Sequence, residues 1–156
     1  MAVTLNAREI REGNVSAKIP MLLSAGIVFL LGAVHLVYTF SGRMLTPRDP
    51  SLQVSMSQIA PVVSRETTMW RCWIGFNASH SMGLLLFGLV FGFLALAHAE
   101  VLFESPFLLA VGFATLIGWA LLSRNYFFRV PFAGVGLALT CYVAAIALSR
   151  MNPLVR

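Results

Sequence analysis

Four stretches of this chain, residues 20–40, 73–97, 106–123 and 131–149, contain no Asp, Glu, Lys or Arg. At about 1.5 Å rise per residue, each is long enough as a helix to cross roughly 30 Å of hydrocarbon. None shows the period-two alternation of a barrel strand. A helix satisfies its own backbone hydrogen bonds, which is what lipid demands of a spanning segment. The pattern therefore predicts an all-α fold: a four-transmembrane-helix bundle forming one integral membrane domain over residues 1–156. Pro20, Pro106 (after Ser105) and Pro131 mark the predicted helix starts, where a missing N–H costs least. The first stretch reads as a retained span and not a cleaved signal, because nineteen residues precede it. Thr39-Phe40-Ser41-Gly42 is also a poor cleavage site.

Between the first two spans the polarity changes and the spacing stays helical. Asp49-Pro50 has the form of an N-cap followed by a first-turn proline. Leu52, Met56, Ile59 and Val63 recur at helical intervals, with Gln53, Ser55 and Ser57 around the rest of the turn. This predicts a short amphipathic helix on the membrane surface, broken near Pro61. Ser64 is placed to cap a helix running through Arg65 into the second span. Trp70 and Trp73 then fall in the aromatic belt.

Composition strengthens the membrane assignment: 58% of residues are hydrophobic and 11% charged, against roughly 25% charged in a soluble domain. The expected location is the inner cell membrane, multi-pass, with both termini on one side. Arg8, Arg11, Lys18, Arg150 and Arg156 fall on that side. Arg43, Arg48, Arg65, Arg71, Arg124 and Arg129 fall on the other. The near-equal split leaves orientation open. A net charge of +5 suits anionic lipid headgroups. The arginines are too dispersed for a nucleic-acid partner.

Chemistry must come from the few polar groups inside the spans. On the second, Asn77, His80 and Ser81 share a face that Gly88 and Gly92 continue. On the first, His35 shares a stripe with Ser24, Gly32 and Thr39, with Tyr38 at its edge. His35 and Asn77 fall about 9 Å below the helix ends and His80 about 13 Å, so the two imidazoles can face each other. Arg71, Arg124, Asn125, Tyr126 and Arg129 form an expected rim above them. One reading is a ligand or catalytic site. The other is a packed polar interface, worth about 0.6 kcal/mol per hydrogen bond. Gly75, Ser79 and Gly83, on the opposite face, read as a close-packing ladder, and Gly134, Ala138, Cys141 and Ala145 form a similar stripe.

No carboxylate lies in any span, which removes a di-iron bundle. No metal site is predicted, since zinc needs a third or fourth ligand that is not near. The identity of any cofactor stays unknown, although His35 and His80 have the residue type for axial ligands of a haem b. Cys72 and Cys141 differ in depth by roughly 15 Å, too far for a disulfide. His98, Glu100 and Glu104 read as a solvated turn.

Two resemblances follow from particular residues. The run Thr67-Thr68-Met69-Trp70-Arg71-Cys72-Trp73-Ile74-Gly75-Phe76-Asn77-Ala78-Ser79-His80-Ser81, with Thr46-Pro47-Arg48-Asp49-Pro50 upstream, resembles a family of small bacterial four-helix membrane proteins without an assigned activity. A second, fainter resemblance is to the membrane-associated eicosanoid and glutathione enzymes. It rests on Arg124-Asn125-Tyr126-Phe127 and on Arg71 and Asn77. His80 stands where those enzymes carry Glu, and the Arg-to-Asn spacing is longer. That likeness implies a trimer holding glutathione through Arg71, Arg124 and Arg129.

Three functions are consistent with these residues. The first is a binding or accessory protein holding a lipid-like molecule in a His/Asn pocket with an arginine rim. The second is an enzyme on a lipophilic substrate, with His80, aided by His35, as general acid/base. The third is bis-His haem electron transfer. A homo-oligomer or a role within a larger membrane complex stays open.

Overall fold

Backbone hydrogen bonding is helical almost throughout. The computed structural model describes residues 7–151, with side chains from Ser16 onward. Arg156 and the side chains of Arg8 and Arg11, counted in the charge tally above, lie outside the described residues. In chain order the helices are α1 (Ala7–Phe40), α2 (Pro50–Gln58), α3 (Met69–Ala97), α4 (Ala99–Glu104), α5 (Pro106–Tyr126) and α6 (Arg129–Met151). No strand occurs among the described residues. Ser16–Phe40 of α1, together with α3, α5 and α6, supplies four segments long and apolar enough to span a membrane. The protein is an all-α, multi-pass membrane bundle.

Helix boundaries differ from the sequence reading in ways the caps explain. Pro106 does open α5, with the Ser105 hydroxyl accepting from the Leu108 N–H at 3.3 Å. Pro20 lies inside α1. A proline interrupts one backbone hydrogen bond but keeps a helical φ, so the flanking turns can continue through it. Pro131 likewise follows the start of α6 at Arg129. Ser64 does not cap α3: its hydroxyl accepts from the Glu66 N–H in a turn. Thr68 takes that role, accepting from the Arg71 N–H at 3.3 Å.

The chain divides into two compact units, one comprising residues 31–85 and the other the segments before and after it. In the second of these, α1, α3, α5 and α6 pack around aromatic rings. Tyr142 is fully buried and donates its hydroxyl to the Leu109 carbonyl at 3.1 Å. Phe87 stacks on Phe91 at 4.4 Å and meets Trp119 edge-on at 5.5 Å. Because lipid gives apolar helices no reason to associate, close packing at small residues has to hold them. At Gly88 an added Cβ would sit 2.6 Å from the Phe29 Cβ and 2.8 Å from the Ala25 carbonyl.

The segment carrying His98, Glu100 and Glu104 is not simply a solvated turn. Both glutamates are exposed, but α4, which carries them, buries Ala99, Leu102 and Phe103. The ladder of Gly75, Ser79 and Gly83 is also different from its expected role. All three residues are exposed, and a Cβ at either glycine would meet nothing within 4 Å. Small side chains there face outward.

Candidate functional site

Residues 31–85 contain the end of α1, α2 and the first half of α3, and they build one continuous polar path. Its tight point is Gly32, where an added Cβ would lie 2.8 Å from the Leu84 Cβ and 3.1 Å from the Ser81 carbonyl. With no side chain in the way, α1 and α3 approach closely and bring His35 onto Asn77. His35 Nε2 lies 3.0 Å from Asn77 Oδ1. Asn77 Nδ2 is committed to the Trp73 carbonyl at 2.8 Å, so Oδ1 is the acceptor and Nε2 of His35 carries the hydrogen. The His80 ring meets His35 edge-on, centroids 5.4 Å apart.

The path continues to both sides of this pair. Ser81, fully buried, donates to the Asn77 carbonyl at 2.9 Å, and Thr39 donates to the His35 carbonyl at 2.8 Å. Trp73 sends its indole N–H to the Leu45 carbonyl at 3.0 Å, fastening the loop after α1 to the start of α3. The Met69 N–H donates to the Ile59 carbonyl at 2.8 Å, fastening the end of α2 to the same place. The loop thus closes over the helix ends with a fixed path.

His35, Asn77, His80 and Ser81 are therefore brought together, chiefly as partners of one another. Arg71 is exposed. Arg124, Asn125, Tyr126 and Arg129 are exposed at the corner between α5 and α6, in the other unit. Edge contact between the two imidazoles leaves no gap for a porphyrin, which must separate its axial ligands by the iron and face each ring nitrogen-first. The Nε2 of His35 is moreover already donating to Asn77. This arrangement does not fit a bis-His haem. No three His, Cys, Asp or Glu side chains gather around a metal position among the described residues. Cys72 and Cys141 are free thiols.

Open space lies at the end of α1 and the start of α3. A cleft of about 580 Å³ is lined by Tyr38, Thr39, Arg43, Thr46, Gln53 and Trp70, with Phe40, Leu45 and Ile74 as apolar walls. Gly42, in the left-handed region at φ +89°, turns the chain at its edge. Along α1 a second, apolar groove of about 250 Å³ is lined by Ala33, Val34, Val37 and Tyr38. Tyr38 borders both. Of the candidate site residues in the sequence reading, only Tyr38 lines this space. Arg43 and Trp70 appeared there only as a surface charge and a belt aromatic. Thr39 appeared only as a member of the His35 stripe, and Gln53 only as the polar side of α2. Their convergence depends on the loop path, which the Trp73–Leu45 bond fixes and no local spacing encodes.

No protein-family model, curated protein or solved structure matches this chain.

Proposed function

We propose that this multi-pass membrane protein is a binding or accessory protein that holds a single amphiphile, polar end in the loop-covered cleft and apolar end along α1. The observation that carries the reading is Tyr38, which lines both a mixed polar and apolar cleft and an apolar groove along α1. An amphiphile has that same division along its length. The groove runs over residues 33–38, about 7 Å of helix rise, toward the bilayer interior. A ligand can thus keep its chain in lipid while its head is sheltered by protein.

Within this reading the buried polar path is a brace. Thr39 follows His35 by one turn, and Trp73 precedes Asn77 by one turn. The His35–Asn77 bond therefore sets the register of α1 against α3 about one turn from the residues that wall the cleft. Four spans return both chain ends to the same side of the membrane, and the inner membrane is the proposed location.

Native mass spectrometry of protein released gently from its membrane tests the proposal. Wild type is expected to carry one lipid-sized adduct. Ile74→Trp, which fills the cleft, and Ala33→Trp, which fills the groove, are each expected to lower its occupancy several-fold. A wild-type protein carrying no such adduct, or one indifferent to both substitutions, overturns the reading.

A further inference from the structure

We infer that the amphiphile is a lipid with an anionic, phosphate-bearing head, and that Arg43 is the residue that selects it; this rests on the amphiphile reading above. Hydrogen-bond donors and acceptors around the cleft decide which head it takes. Among the described residues that line it, Arg43 is the only charged side chain, and none is a carboxylate that would neutralise a cation or repel an anion. Two of the lining hydroxyls have already spent their hydrogens: Thr39 donates to the His35 carbonyl, and Thr46 donates to the Arg43 carbonyl, each at 2.8 Å. What remains is the Arg43 guanidinium, the Gln53 carboxamide, the Tyr38 hydroxyl and the Trp70 indole. None of these four side chains makes a hydrogen bond to another described residue.

That surplus is strongly weighted toward donors. Guanidinium carries five N–H groups and no acceptor, and indole carries one N–H and no acceptor. A head rich in acceptor oxygens and bearing negative charge satisfies them, and phosphate in particular matches the planar fork of arginine. A cationic head without such a group has no counter-charge here. The source of the phosphate is the lipid and not a free ion, because Tyr38 also lines the apolar groove along α1, a surface that suits an acyl chain.

The experiment places the protein in nanodiscs containing equal amounts of phosphatidylglycerol and phosphatidylcholine with the same acyl chains. Lipid retained after transfer to detergent is then counted by native mass spectrometry. One surface cation is worth about a five-fold preference for anionic lipid, and wild type is expected to show at least that. Arg43→Gln should lose the preference while still retaining phosphatidylcholine. Arg43→Lys, which keeps the charge but not the fork, should retain part of it. Arg48→Gln removes the same charge outside the cleft lining and should leave it intact. Equal retention by wild type, or equal losses in Arg43→Gln and Arg48→Gln, overturns the inference and leaves the amphiphile reading standing. Displacement of the retained lipid by millimolar inorganic phosphate assigns the site to a free anion and overturns the lipid assignment. Retention of neither lipid by wild type removes the underlying reading, and this inference with it.

Discussion

His35 Nε2 donates to Asn77 Oδ1 at 3.0 Å, about one turn from the close contact that Gly32 of α1 makes with α3. This bond makes the neighbouring His80 ring a contact of His35 and sets the helix ends that wall the cleft. Two polar side chains in lipid gain from each other because the alternative is an unpaired group in hydrocarbon.

The energetic worth of that bond is measurable by a double-mutant cycle. Asn77→Leu leaves the half-buried His35, and His35→Phe the buried Asn77, without its partner, at about 1–3 kcal/mol. The coupling between the two is expected near 0.6 kcal/mol and below about 1.7 kcal/mol, the range found for membrane hydrogen bonds. Equilibrium unfolding in mixed micelles gives the four stabilities needed. A coupling of zero would mean that the two side chains do not share a bond.

Glycines of one helix should respond with opposite signs. At Gly88 an alanine methyl would press on Phe29 and on the Ala25 carbonyl, both backbone-proximal atoms with little freedom to yield. Gly88→Ala is expected to destabilise by about 1–3 kcal/mol through overpacking. Gly83 faces open space, so Gly83→Ala should be neutral or stabilise by up to about 1 kcal/mol through helix propensity. Thermal unfolding of the two variants side by side checks the contrast. Equal effects would contradict the packing described.

These contrasts show how unevenly the fold was legible. The four spans were readable because lipid imposes a length and a polarity that few soluble helices meet. Asp49-Pro50 and Ser105-Pro106 were readable because a cap is chemistry between residues three positions apart or less. The outward face of Gly75 and Gly83 was not readable: a small residue looks the same whether it faces a neighbour or open space, and only the rotation of α3 against α1 decides. The convergence of His35, Asn77 and His80 followed from matched depth. The cleft did not, because Arg43, Gln53 and Trp70 meet through a loop whose path is set by single long-range bonds to Leu45 and Ile59 carbonyls.

Acid should loosen α2 before anything else in its unit. The Ser51 hydroxyl donates to Asp49 at 2.8 Å and the Ser51 N–H at 2.9 Å, and together they hold the Asp49 carboxyl below its ordinary pKa. A depressed carboxylate contributes stability that is complete above its unfolded value, about 3.9. That contribution is lost as pH falls through the folded value. The protection of the Ser51 amide, taken relative to the intrinsic exchange rate at each pH, should therefore be constant from neutral pH to about pH 5 and fall below about pH 4. Asp49→Asn keeps a capping oxygen and should abolish the acid dependence. A variant as acid-sensitive as wild type would assign the effect to another group.

Two fully buried serines should behave oppositely when their hydroxyls are removed. Ser81 donates to the Asn77 carbonyl, whereas Ser24 Oγ has no hydrogen-bond partner among the described residues and is buried all the same. Burying an unpaired hydroxyl costs about 1–3 kcal/mol, so Ser24→Ala should stabilise the protein by up to that amount. Ser81→Ala removes a satisfied bond and should cost about 0.6 kcal/mol. Both substitutions delete the same atom at the same degree of burial, which leaves hydrogen bonding as the difference between them. Unfolding midpoints in the same detergent decide the matter. A destabilised Ser24→Ala protein would mean that this hydroxyl has a partner, and that the α1 face bearing Ser24 packs differently from the arrangement described here.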